Sequence, residues 1–280
     1  MNNVKTAGLL ALMAVLLFWV VYALGGGLGT ALIFAFGFNI FAYFFSDKLA
    51  LAMSQAKPVT EAELPEVYAI VRRLTTTVGM PMPRIYVINS PQPNAFATGR
   101  NPKRAAVAVT TGILRILDQE ELEGVLGHEL AHVRNRDILI SSIAAMIGSA
   151  IAILSRIAFW FGRGDNRNNP LGIVGVIASL IIGPIAAMLI RFAISRTREF
   201  QADKTGAEIT GQPLKLASAL QKISAGASRI PMEVNPATAQ LFIENPLKAF
   251  RGGGVMRLFS THPPTEERIK RLTEMAMGMR

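Results

Sequence analysis

Four apolar stretches dominate this chain and limit what it can fold into. They run over residues 6–24, 28–45, 138–161 and 171–192. Each is close to the roughly 20 residues that an α-helix needs to cross a bilayer. Gly25, Gly26 and Gly27 form an uncharged turn between the first two, and Trp19, Tyr22 and Tyr43 lie near segment ends, where aromatic belts form. Arg156 interrupts the third stretch near its end, where a long side chain can reach the interface. Gly183 and Pro184 would kink the fourth, which membrane helices tolerate. A cleaved signal peptide competes for the first stretch, since Lys5 precedes the apolar run, but a second run beginning almost at once favours a retained hairpin. A buried hairpin in a soluble core competes for the third and fourth. A chain of 280 residues would struggle to bury four such stretches. Composition agrees: 51% of residues are hydrophobic and 17% charged, against about one quarter charged in soluble domains.

The net charge of +10 raises the question of nucleic acid. The Lys and Arg residues form no long cluster and no nucleic-acid signature is present. Much of the excess lies beside apolar segments, which reads as membrane topology and attraction to anionic lipid. The polar parts divide the chain into an N-terminal hairpin (1–46), a first catalytic part (47–137), a second hairpin (138–193) and a second catalytic part (194–280). Within the first polar part, Thr60 with Glu63 predicts a capped helix over residues 60–77. Strands are expected at 84–88, 94–98 and 105–110, the last two joined by a turn rich in Gly, Asn and Pro. Asp118 with Glu121 predicts the capped start of another helix. Residues 194–280 read as mostly helical. The expected fold is therefore a mainly α membrane protein. Four transmembrane helices accompany a zincin-like α+β catalytic domain with a small sheet.

The helix after Asp118 carries the chemistry. His128, Glu129 and His132 form H-E-x-x-H, and two of the chain's three histidines are in it. Residues four apart on a helix lie on one face, so both imidazoles can reach one zinc ion. Glu129 is the next residue round and can hold a water beside the metal, taking its proton as it attacks a carbonyl and passing it to the leaving amine. The competing reading is a helix whose histidines only satisfy core hydrogen bonds. With no cysteine in the chain, zinc must be held by His and carboxylate, and a catalytic site wants three protein ligands and one open position. His262, Glu199 and Asp203 are the candidates for the third. Glu199 and Asp203 are four residues apart and share a helix face, so one could ligate while the other orients a ligating histidine. Otherwise they form a solvated acidic face near Arg196 and Arg198.

Together, Gly127 to His132 and Arg198 to Asp203 (R-E-F-Q-A-D) resemble the HtpX-type membrane metallopeptidases, relatives of the endopeptidases that process prenylated CAAX proteins. Residues 94–99 (N-A-F-A-T-G) and 260–269 (S-T-H-P-P-T-E-E-R-I) also resemble motifs of that family, as does the order of apolar segments and motifs. The resemblance covers nearly the whole chain. It implies one zinc ion per chain, with Glu199 as third ligand and Asp203 supporting a histidine. It also implies a bacterial inner-membrane enzyme, working on the cytoplasmic side, that cleaves misfolded or damaged membrane proteins under stress. The expected partners are protein substrates and the lipid bilayer.

Substrate is expected to add as an extended strand along an exposed sheet edge, with Asn94, Ala95, Phe96, Ala97, Thr98 and Gly99 as the candidate edge and an ordinary internal hairpin as its rival. His262, on a Pro-rich loop, is a candidate catalytic residue that stabilises the oxyanion, or else caps a helix. Two other function classes compete: a transporter carrying zinc as cargo, and a silent chaperone keeping zinc for structure. The first would need ionisable groups within the spans, whereas the motif residues flank them. The second has no need of Glu129. Topology is constrained by the site itself. Glu129 and Glu199 must meet at one ion, so an even number of crossings separates them. Residues 47–137 hold eleven Lys and Arg, which places the catalytic parts in the cytoplasm by the positive-inside bias.

Overall fold

In this computed structural model the described residues are 2–23, 25–146, 196–235, 238–249 and 263–278. Strand β4 (Ala106–Thr110) lies at the centre of the sheet, flanked by β2 (Arg84–Ile88) in parallel and β3 (Ala95–Thr98) antiparallel. A two-residue strand β1 (Lys57–Pro58) extends the other side, giving the order β1-β2-β4-β3. Every residue of β4 is buried, and the reason is that both faces are covered. Ile85, Ala95, Ala97, Val107 and Val109 join the main core. Ile88, Phe96, Ala106 and Ala108 face the other way, onto Ala50, Leu51 and Phe242.

The main core is closed by helices α3 (Pro65–Thr77), α5 (Gln119–Arg134) and α7 (Pro213–Arg229). A short α4 (Thr111–Ile116) comes directly after β4, while α6 (Arg196–Thr210) and α8 (Thr265–Ala276) complete the helical layer. The Asp118 cap forms as the sequence requires, with a full capping box to Glu121. Helix α3 starts later than residue 60. Thr60 does bind Glu63, at 2.7 Å from its backbone N–H, but this closes a turn. Pro65 at the first helical position sets the start and keeps Leu64 out of the helical region, at φ −134°.

Helices α1 (Asn2–Ala23) and α2 (Gly27–Met53) form a hairpin through Gly25 and Gly27, both at positive φ. Among the described residues α2 is the one helix long and apolar enough to cross a membrane. It leaves Ile33, Phe36 and Ile40 exposed, which a water-soluble helix of this length would bury. It also runs past the expected boundary at residue 46. Its last turns reach the sheet, where Asp47 pairs with Arg84 at 3.1 Å and Ala50 and Leu51 are buried. Of the two later apolar stretches, only residues 138–146 are described. They are helical and pack Ile140 and Ile143 against Met13 and Ala42 of the hairpin.

Glu121 links the cap to α7. Its carboxylate accepts from Lys222 Nζ at 2.6 Å and Ser218 Oγ at 2.7 Å. Burial pushes this carboxyl upward, but Lys222, Ser218 and the Asp118 backbone outweigh it and hold it below its ordinary value. A depressed folded-state pKa contributes stability that is present above the unfolded value of about 4.3 and lost as pH falls through the folded one. Glu121→Gln is expected to lower stability by about 1–2 kcal/mol at pH 7, Lys222 adding little because it is nearly half exposed. The gap between wild type and variant should narrow as pH falls below about 4.3. Denaturant melts in detergent at pH 7 and pH 3.5 check both points, and an equal gap at the two pH values would refute the assignment.

Candidate metal centre

Helix α5 places His128 and His132 one turn apart on a buried face. Their Nε2 atoms lie 3.2 Å apart. Helix α6 brings Glu199 to the same point, with Oε2 3.8 Å from His128 Nε2 and Oε1 3.5 Å from His132 Nε2. The three side chains offer ligand atoms within 4.8 Å of one another. Two nitrogens each about 2.0–2.1 Å from a tetrahedrally bound ion are about 3.3 Å apart. The spacing, two imidazoles and one carboxylate therefore fit a single divalent cation with a position left over.

That convergence depends on a close helix crossing. A Cβ added at Gly206 of α6 would lie 2.7 Å from the His128 backbone nitrogen, and one at Gly127 would lie 2.7 Å from Thr210 Cγ2. With no side chains there, the two backbones meet and Glu199 reaches the histidines.

Each histidine is turned by a carboxylate on its other ring nitrogen. His128 Nδ1 lies 2.9 Å from Asp203 Oδ1, and His132 Nδ1 lies 3.3 Å from Asp137 Oδ2. Such partners set the tautomer and direct Nε2 towards a metal. Asp203 is itself gripped by Arg268, which donates from Nε at 2.8 Å and Nη2 at 2.6 Å. Burial lowers the His128 imidazole to about 4, with Asp203 opposing. Burial raises the Glu129 carboxyl to about 7, with His132 opposing and Glu199 adding. At His132 burial disfavours the charge, but Glu199, Asp137 and Glu129 outweigh it and raise the ring to about 9. Burial would raise Asp203 too, yet Arg268 and His128 hold it well below the carboxylate range.

Glu129 is 1% exposed and takes a backbone hydrogen bond from Ala97 of β3. Its Oε1 is buried with no hydrogen-bond partner. It lines a cleft of about 30 Å3 with His128, His132, Glu199 and Ala97, room for a water or two. Of residues 94–99, Ala97 lines this cleft. The outer edge at Asn94 and Ala95 is already taken. The Ile243 N–H donates to Ala95 O at 2.9 Å, while Asn94 Nδ2 donates to Glu244 O at 2.8 Å. His262 lies outside the described residues. Sequence reasoning missed Asp137 and Arg268. Asp137 stands five residues after His132 and three before Ile140, where it looks like an ordinary polar residue ahead of an apolar run. Arg268 lies inside the 260–269 motif but 65 residues from the aspartate it holds.

A family model for Peptidase family M48 matches residues 61–276. Proteins named "Protease HtpX homolog" align over nearly the whole chain. That of Pelotomaculum thermopropionicum is 51% identical over 284 residues, covering 99% of this chain and 100% of the relative. That of Thermodesulfovibrio yellowstonii is 52% identical over 282 residues, covering 99% of each. The crystal structure of S. mikatae Ste24p matches with a TM-score of 0.53 at 18% identity, over 97% of this chain and 65% of the Ste24p chain, a little under two thirds. That likeness concerns the fold.

The glycine crossing yields a counter-intuitive expectation. Gly→Ala inside a helix normally stabilises by about 1 kcal/mol. Gly206→Ala should instead destabilise by about 1–3 kcal/mol, the usual cost of overpacking, and should lower bound metal per chain. Metal content by elemental analysis and the melting midpoint check it. A more stable variant with full metal content would show that the crossing can open without loss.

Proposed function

The chain belongs to peptidase family M48, and on that premise we propose that it is a zinc-dependent membrane endopeptidase acting on misfolded or damaged membrane proteins. Its membership makes it a metallopeptidase. The observation that carries the reading is the buried meeting of His128, His132 and Glu199 at tetrahedral spacing, with Glu129 beside them. His128, His132 and Glu199 would hold the ion. Zinc fits because two imidazoles and a carboxylate, with no thiolate, are the ligand set of its hydrolytic sites. When bound, it supplies Lewis acidity, lowering the pKa of water towards about 7 and polarising a carbonyl.

The protein's own groups do the rest. Ala97 positions Glu129, whose free Oε1 accepts the proton of the attacking water. The same carboxyl returns that proton to the amine nitrogen as the C–N bond breaks. Asp203 and Asp137 hold the two imidazoles in one tautomer, and Arg268 locks Asp203 in place. An extended substrate segment is expected to run past Ala97, since Asn94 and Ala95 are engaged by Ile243 and Glu244. Four spans with the catalytic parts on the cytoplasmic side of a bacterial inner membrane complete the reading. Support comes from the apolar stretches, the positive charge of residues 47–137, and the way α2 passes from its apolar part directly into the sheet.

Two measurements test this. Glu129→Gln should abolish cleavage of casein or a model membrane protein but keep the metal, because it removes the base and leaves the ligands. Glu199→Gln should lose both. Equal metal loss in the two variants would mean the roles are misassigned, and wild-type cleavage that survives chelation would end the metallopeptidase mechanism. For orientation, Gly29→Cys should react with a membrane-impermeant thiol reagent in intact cells and Lys103→Cys only after permeabilisation. The chain has no native cysteine to confuse the readout, and labelling of Lys103→Cys in sealed cells would reverse the topology.

A further inference from the structure

Beside Glu129, two further polar side chains of the cleft carry buried atoms that make no hydrogen bond. Gln240 sits on the 3-10 turn Ala239–Leu241 and is 6% exposed. It lines the cleft beside His128, Glu129 and His132. Neither its Nε2 nor its Oε1 makes a hydrogen bond. Arg198, which lines the same cleft, is 8% exposed. Its Nη1 and Nη2 are both buried without a hydrogen bond. The Asp137 carboxylate is 3.9 Å from Nη1, which balances some charge but is too long for a hydrogen bond. A buried amide left unbonded costs free energy, and a buried guanidinium costs more.

Loose packing does not account for this. The chain on either side of Gln240 is anchored: Thr238 Oγ1 donates to Asn235 O, Ile243 pairs with Ala95 and Arg268, and Phe242 packs edge-on to Phe96 at 5.0 Å. Arg198 is held by its place beside Glu199 on α6. Both side chains converge on the cleft with their hydrogen-bonding capacity unspent.

We propose that Gln240 and Arg198 are the side chains that hold the substrate's main chain, with distinct roles set by their chemistry. The inference rests on the peptidase reading above. A glutamine amide has one donor group and one acceptor, the complement of a peptide unit, so Gln240 binds a C=O and an N–H of an extended segment. A guanidinium has donors only and a positive charge. Arg198 therefore binds the carbonyl oxygen of the bond being cut, where negative charge grows as water adds. Both contacts are to backbone atoms. The substrate is then any extended, unfolded segment able to enter beside Ala97, selected by lack of structure rather than by side-chain sequence.

The test uses the full chain in detergent with zinc and an unstructured fluorogenic peptide. Gln240→Met removes an unsatisfied amide, so it should melt no lower than wild type, keep its metal, and raise KM about tenfold, the worth of a typical hydrogen bond. Arg198→Met should keep its metal and lower kcat by roughly 10²–10³-fold. Arg198→Lys should recover part of that loss, because an ammonium supplies the charge without the fork. In a Glu129→Gln background, Gln240→Met should also weaken binding of the uncut peptide, seen by fluorescence anisotropy. Wild-type kinetics in the single variants would overturn the proposal, as would activity loss accompanied by metal loss or a lower melting point, which would mark both residues as structural. If the wild type cuts nothing, the peptidase reading fails, and the anisotropy arm still decides whether Gln240 holds a peptide.

Discussion

The whole centre hangs on two helices touching without side chains between them. α5 carries the histidines and α6 the carboxylate, and they meet where Gly206 leaves no room for even a methyl group against the His128 backbone. Separated by an ordinary side-chain layer, axes stand 8–10 Å apart, and a glutamate from α6 would fall short or have to stretch. The crossing also fixes the next turn of α6. One turn after Glu199, Asp203 faces His128, and its two oxygens take the fork of Arg268 from α8. Arg268 then reaches Ile243 O at 2.9 Å, whose own N–H is paired to Ala95 of β3. A chain of buried polar contacts thus ties the ligand helices to the sheet edge.

The apolar helices enter this arrangement from the other side. α2 ends under the sheet, where Asp47 meets Arg84 and Ala50 and Leu51 pack below Phe96 and Ala106. The stretch at 138–146, which begins directly after Asp137, hydrogen-bonds Ser142 Oγ to Thr98 Oγ1 of β3 at 2.6 Å. The edge strand beside Glu129 is therefore braced by a helix that leads into an apolar segment. A cleft built this way stands close to the start of the third apolar stretch, whose Ile138 and Ser141 line it.

Much of this was legible in the sequence because its causes are local. The Asp118–Glu121 box, the spacing of His128 and His132, the strand at 84–88 and the triple-glycine turn each depend on a few adjacent residues, and each appears as expected. The start of α3 was misplaced because the Thr60–Glu63 signal is real but Pro65 overrides it. The short strand β1 has too few residues to carry a pattern. Asp137, Arg268 and the pairing of Ile243 with Ala95 were hidden for a different reason. They act through contacts between elements far apart in the chain, and nothing in the neighbourhood of Arg268 says that it will be 1% exposed with an aspartate in its grip. The apolar stretches were plain as composition, but among the described residues α2 is the one helix that meets the length and hydropathy of a span, and most of the third and fourth stretches lie outside those residues.

The balance of charge agrees with a cation at this point. Around the two histidines stand four buried carboxylates, Glu129, Asp137, Glu199 and Asp203, and two buried guanidiniums, Arg198 and Arg268. With the imidazoles neutral, as ligands must be, and Glu129 raised by burial to about 7, the carboxylates still outweigh the guanidiniums in a region of low exposure. Burying such an excess is expensive, and proteins meet it by pairing, by neutralisation or by a cation. Pairing is largely used up, because Arg268 is committed to Asp203 and Arg198 stands off Asp137 at 3.9 Å. A cation at the meeting point of His128, His132 and Glu199 offsets that excess and fits the spacing.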